Sequence, residues 1–152
     1  MRRWTLVIIL LAALGAAAQA APQDASAAQT EQPAAPAYQP KFPGDPAHSD
    51  SEAAALAYLR VLSRAETLFF KMHKAYTTSL RELAGHGSFT KRMVTPQRGD
   101  YTVKFHSTGK EYSVEMVPQQ IDDQHRAFFV DESGVIRGEE DKVADAKSPE
   151  VR

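Results

Sequence analysis

Tyr101-Thr102-Val103-Lys104-Phe105-His106-Ser107-Thr108-Gly109-Lys110-Glu111-Tyr112-Ser113-Val114-Glu115-Met116 decides the class of fold. Tyr101, Val103 and Phe105 alternate with Thr102, Lys104 and His106, and the same period returns where Tyr112, Val114 and Met116 alternate with Glu111, Ser113 and Glu115. A period of two sends successive side chains to opposite faces of a strand, so the stretch reads as a hairpin with one apolar face. With residues 107–110 as the loop, Phe105 is expected opposite Tyr112, Val103 opposite Val114 and Tyr101 opposite Met116. A shorter loop bulged at Gly109 would slip the pairing by one residue and set Glu111 against Phe105, and the hydrophobic pattern argues against it.

Downstream, residues 125–130 and 135–138 form a second predicted hairpin around Asp131-Glu132-Ser133-Gly134, in which Gly134 supplies the positive φ of the turn. The two hairpins make a four-stranded antiparallel meander. Phe129 and Ile136 are expected to point away from Phe128 and Val130, which makes this hairpin apolar on both faces. The second face then needs cover from the tail, the loops or a partner. Phe129 and Ile136 are therefore the candidate interaction surface, and a charged residue at either is expected to weaken a contact yet spare the fold. Residues 139–152 are polar and are expected to be partly disordered.

Upstream, Ser49 and Glu52 form a capping box ahead of a run free of glycine and proline, predicting a helix to about Tyr76. Tyr58, Val61, Leu62, Ala65, Leu68, Phe69, Met72, Ala75 and Tyr76 recur at helical steps and form its expected apolar stripe. Arg60, Arg64, Glu66, Lys71 and Lys74 are assigned to the remaining surface. Ser79 and Glu82 start a second short helix that packs Leu80 and Leu83 and stops at Gly85. The fold expected over residues 49–138 is thus α+β, with one long N-terminal amphipathic helix packed on the four-stranded meander.

Residues 21–48 are rich in alanine, proline and glutamine, and Pro22, Pro33, Pro36, Pro40, Pro43 and Pro46 break any helix there. A disordered linker is expected, with Tyr38 and Phe42 at the domain surface or in solvent. Residues 1–20 read as a secretory signal peptide: Arg2 and Arg3, an apolar run over residues 4–18, and Ala18-Gln19-Ala20 as the cleavage site. The run is short of the roughly 20 residues a membrane-spanning helix needs. Cleavage after Ala20 predicts a periplasmic or secreted protein with no integral span, and a retained anchor is the other reading of the same segment.

The chain has no cysteine, which excludes disulfides and thiolate zinc sites. Loss of Arg2 and Arg3 with the leader would move the formal charge from −1 to −3. A weakly acidic balance argues against nucleic acid or anionic membrane as the main partner. His48, His73, His86, His106 and His125 show no metal-ligand spacing, although His106 and His125 both fall on predicted strands. Gly85-His86-Gly87-Ser88 reads as a helix stop and loop, not a nucleophile or phosphate loop. Asp122, Asp123, Asp131 and Glu132 supply oxygens without the spacing of a calcium loop. Lys91, Arg92 and Arg98 form a small basic loop. No catalytic, cofactor-binding or metal-binding residue is assigned, and an enzyme is not expected.

Arg126-Ala127-Phe128-Phe129-Val130-Asp131-Glu132-Ser133-Gly134-Val135-Ile136-Arg137 is similar to an R-x-F-F-x-D-x-S-G-x-I-R stretch of pilin-like proteins. Gly99-Asp100-Tyr101-Thr102-Val103 resembles the opening of the hairpin that precedes it in those proteins. Ala146-Lys147-Ser148-Pro149 resembles their closing segment, and Ser79-Leu80-Arg81-Glu82-Leu83 the turn after their main helix. Over about residues 51–151 the chain resembles the globular head of type IV pilins and type II secretion pseudopilins. It departs from them at the start, where the prepilin leader, the phenylalanine after the cut and the glutamate within a hydrophobic helix are missing. The resemblance implies a pilin-head-like fold and a non-enzymatic role through an envelope protein partner, such as a pilus or secretion component, but not entry into a filament by the usual route. The alternative is a periplasmic small-ligand-binding or inhibitor protein, which a concave apolar pocket would favour and a filled interior would count against.

Overall fold

The computed structural model describes residues 37–152. The signal peptide at 1–20 and the linker up to residue 36 lie outside the described residues. A long helix, α1 (Asp50–His73), packs on a five-stranded antiparallel sheet, giving the expected α+β layout. Ser49 caps α1 by accepting from the Glu52 backbone N–H, and Asp50 and Glu52 place negative charge in its first turn. The helix stops short of Tyr76 because Lys74 turns left-handed at φ 58°, and the Tyr76 N–H donates to the Gly109 carbonyl at 2.8 Å. The short helix α2 (Leu80–Leu83) is capped by Ser79 and buries Leu83.

The buried stripe of α1 is rotated from the one expected. Ala55, Leu56, Tyr58, Leu59, Leu62, Ala65 and Phe69 face the core together with Glu52 and Glu66, while Leu68 and Met72 are 43% and 61% exposed. Two buried carboxylates on the core face broke the apolar pattern and drew the reading toward its neighbour. Glu66, assigned to the surface, is fully buried.

The sheet runs in chain order through β1 (Gln97–Arg98), β2 (Tyr101–Ser107), β3 (Tyr112–Pro118), β4 (Ala127–Asp131) and β5 (Arg137–Glu139). Beyond the four expected strands, the two residues of β1 pair with Tyr101 and Thr102, too short a strand for periodicity to reveal. The first hairpin keeps the expected faces but not the expected partners. Phe105 stands opposite Val114, Val103 opposite Met116 and Tyr101 opposite Pro118. Ser107 extends the strand to pair with Tyr112; its hydroxyl accepts from Gly109 N–H at 3.0 Å and donates to the Glu111 carbonyl at 3.1 Å, closing a loop over residues 108–111. A slip of two residues leaves every side chain on its face.

In the second hairpin Phe129 pairs with Arg137 and Phe128 with Gly138, so β5 begins two residues later than Val135. The tail, expected to be partly disordered, instead folds back along β5. Gly138 N–H donates to the Pro149 carbonyl and Val151 N–H to the Ile136 carbonyl, both at 2.9 Å, and Ala144 and Ser148 are buried. Residues 37–48, assigned to the disordered linker, also pack on the domain. Tyr38 Oη donates to Asp45 Oδ2 at 2.5 Å, Ala47 is buried, and Phe42 lies exposed under the Arg60 guanidinium at 5.9 Å. Leu56, Leu59, Leu62, Phe89, Tyr101, Met116, Phe128 and Val130 fill the space between the layers. No helix among the described residues is long and apolar enough to cross a membrane.

Candidate functional site

The densest polar constellation lies at the N-terminal end of α1, where the helix meets the segment between β3 and β4. Glu52, fully buried, accepts from Arg126 Nη2 at 2.7 Å and Nε at 3.1 Å, from the Arg126 backbone N–H at 2.8 Å and from the His48 N–H at 2.8 Å. Burial alone would push its carboxyl up. The donors from Arg126 and His48 outweigh that and hold it below the usual glutamate value. Arg126 also donates to the Pro46 carbonyl at 2.5 Å and sits 5.5 Å above the Phe128 ring. One guanidinium thus ties the segment before α1, the helix and the start of β4 together.

Beside this pair, His125 Nδ1 lies 2.8 Å from Asp122 Oδ1, while its Nε2 faces Asp100 Oδ2 at 3.7 Å. The His125 hydrogen bond holds the Asp122 carboxyl below its ordinary value. The Ser51 hydroxyl donates to Asp100. Ser51 is therefore bonded to a carboxylate and not to the imidazole, so these groups do not form a nucleophile–base pair. Ser49 Oγ donates to the Gln124 carbonyl at 2.6 Å, and a His48 Nδ1–Asp123 carbonyl contact of 3.0 Å completes the clamp. The geometry fastens a loop to a helix end.

A second buried carboxylate has the opposite character. Glu66 accepts from the Thr77 N–H at 3.1 Å and from the Thr77 hydroxyl, with no cation bonded to it among the described residues. Here burial wins and its carboxyl is pushed up. Stability from Glu66 is present below the ordinary glutamate range and is lost as pH rises through its elevated value; that from Glu52 is present above the ordinary range and is lost as pH falls through its depressed value. Glu66→Gln should remove the fall in thermal stability that wild type shows as pH rises from the ordinary glutamate range through the elevated Glu66 value, and leave the acid limb in place. An unchanged fall over that window would mean that Glu66 is ionised without cost. Glu52, Leu59 and Glu66 recur at steps of seven residues, a spacing that places both acids in line with a core leucine and could have marked them as buried.

Most residues of the stretch from Arg126 to Arg137 hold joints of the fold. Phe128 is buried in the main core, and Asp131 Oδ1 accepts from the Ser133 N–H at 3.0 Å and its hydroxyl at 2.5 Å. Gly134, at φ 73°, donates to the Asp131 carbonyl at 2.9 Å. Arg137 Nη1 donates to the Ser148 carbonyl at 3.0 Å. Phe129 and Ile136, the expected interaction surface, do not share a face. Phe129 is 8% exposed in a second small core with Ala127, Ala144 and Ile121, because the tail covers that face. Ile136 packs on the main core beside Phe128 and Val130, not away from them. His106 stands on β2 opposite Ser113, while His125, expected on a strand, lies before β4 in an isolated bridge with Asp122, so the two histidines serve different parts of the fold. The structure instead brings His73 and His86 together, with ring centroids 6.1 Å apart around Phe69. Among the described residues no three His, Asp or Glu side chains converge as a metal site.

Comparison of the chain with protein-family models, curated proteins and solved structures returned no match.

The concavities among the described residues are surface grooves. The groove between His106, Tyr112, Phe129, Asp131 and Glu132 has a volume of about 290 Å³ and mixed polar and apolar walls. At β2, strand pairing on the outer side stops after Thr102 and a single bond from Val103 N–H to the Pro96 carbonyl at 2.7 Å. Residues 105–107 therefore form an open stretch of sheet edge, next to Lys104 and carrying His106.

Proposed function

We propose that the chain is an exported, non-enzymatic, pilin-head-like domain that works through contacts with a protein of the cell envelope, a component of a type IV pilus or secretion assembly. The use of the residues that carry the resemblance supports this reading most. Arg126, Phe128, Phe129, Asp131, Ser133, Gly134, Ile136 and Arg137 build the junctions between α1, the last hairpin and the tail. The motif is thus a scaffold motif, consistent with likeness in fold rather than in a ligand site. Packing between the layers and the open form of the grooves count against the small-ligand alternative. With Phe129 buried and Ile136 partly buried against the main core, contact falls to other surfaces, and the open edge of β2 suits main-chain pairing with an extended segment of a partner.

The basic leader and the Ala18-Gln19-Ala20 site support a periplasmic or secreted location. Two measurements test the reading. Intact mass of the exported product should start at Ala21, and a product that stays in the cytoplasm with residues 1–20 attached would remove the export half. Cross-linking of the folded chain in envelope extracts, followed by mass spectrometry, should attach pilus or secretion components to the β2 edge. A folded bait that cross-links to none of them would remove the partner half.

A further inference from the structure

The overall acidic balance conceals a local segregation of charge along α1. From residue 53 to residue 81 the chain carries Arg60, Arg64, Lys71, Lys74 and Arg81 but a single acid, Glu66. That acid is buried against Thr77, so beyond its first turn the helix presents no exposed anion of its own. Arg60, Arg64, Thr67 and Lys71 recur at steps of four, three and four, which lines them up on the side of α1 away from the sheet, and Lys74 follows at the C-cap. Arg64, Lys71 and Lys74 are exposed, and none of these four cations joins an ion pair among the described residues. Exposed apolar residues flank the row, Leu68 and Met72 on one side and Phe70 on the other. Ser63, Arg64, Thr67, Leu68 and Lys71 border a shallow groove of about 350 Å³. The Thr67 hydroxyl already donates to the Ser63 carbonyl at 2.9 Å, so the cations and the apolar flank are the binding groups that remain.

We propose that the outer face of α1, centred on Arg64, Leu68, Lys71 and Met72, docks the domain on an anionic phospholipid surface. Cations in register with exposed apolar side chains match a bilayer interface, where lysine and arginine meet phosphate while leucine and methionine enter the acyl boundary. An acidic polypeptide would use the cations and leave Leu68 and Met72 without a role. The turn that carries Asp131 and Glu132 meets α1 at Ser63, beside Arg64, so repulsion between that turn and an anionic surface tilts the contact toward Leu68, Lys71 and Met72. The inference rests on the helix face alone and stands or falls independently of the protein-contact reading.

The test is co-sedimentation of the full chain with phosphatidylcholine vesicles made with and without phosphatidylglycerol. Residues 4–18 are apolar and can enter either vesicle, so the informative quantity is the anionic-to-neutral binding ratio. At low salt the ratio should be about 10 or more and should fall as salt is added. Arg64→Glu with Lys71→Glu should bring it to about 1 with the circular dichroism spectrum unchanged. Leu68→Ser with Met72→Ser should weaken binding and keep its salt dependence. A wild-type ratio near 1, or a ratio that survives the charge reversal, overturns the proposal. Equal competition by inorganic phosphate would move recognition to the free ion, and preference for polyglutamate over vesicles would make this an acidic-polypeptide surface; either result overturns it.

Discussion

Arg126→Met should cost the domain about 3–5 kcal/mol at neutral pH, the loss expected when one partner of a buried ion pair is removed and the other charge remains. Glu52 is fully buried, and four of the hydrogen bonds its carboxylate accepts come from Arg126, three from the guanidinium and one from the backbone. The methionine retains the backbone donor and the apolar volume but removes the counter-charge. Without it, burial dominates and the Glu52 carboxyl rises from below its ordinary value to above it. The pH dependence should therefore reverse. Wild type loses the Glu52 contribution as pH falls through the depressed value, whereas the variant recovers stability as mild acid protonates the stranded carboxylate. Adding Glu52→Gln to Arg126→Met should restore part of the loss at neutral pH, since no charge is then left buried. Urea unfolding at neutral and mildly acidic pH measures all three. A single-variant cost below about 1 kcal/mol with the wild-type pH trend would show that Arg126 is not what keeps Glu52 ionised.

The parts of the fold legible in the sequence are those governed by local periodicity and capping. Ser49 and Ser79 mark their helix starts because a hydroxyl before an acidic first turn satisfies donors that nothing else reaches. The alternation from Tyr101 to Met116 gives the correct faces of β2 and β3, since a two-residue slip changes partners without changing sides. What escaped the sequence depends on contacts between distant segments. Glu52 reads as a capping residue until Arg126, far along the chain, is seen to pair with it, and Glu66 reads as a surface residue until the chain beyond the helix end brings Thr77 back to bond it. The tail looks disordered by composition, yet its backbone pairs with β5 and the Ser148 hydroxyl donates to Glu139 Oε1 at 2.8 Å. Net charge was equally uninformative about α1, because it averages a basic helix face with acids placed elsewhere.

Phe129→Glu should be as damaging as a core deletion, about 3–5 kcal/mol, and not the surface change that its apparent second apolar face suggests. The ring is 8% exposed beneath Ala144 and beside Ala127 and Ile121, so a carboxylate there is taken out of water. Its neighbours across the strands are Glu115 on β3 and Arg137 on β5. The first repels the new charge, and the second already donates to the Ser148 carbonyl and cannot turn to it without loosening the tail. Phe129→Leu separates size from charge: it should cost only about 1–2 kcal/mol, because most of the apolar contact survives. Removing residues 144–152 should uncover the same ring, and in that shortened chain the glutamate should cost much less than in the full one. Equal urea midpoints for Phe129→Glu and wild type would mean that the tail does not cover this face, and Phe129 would then return as a surface available to a partner.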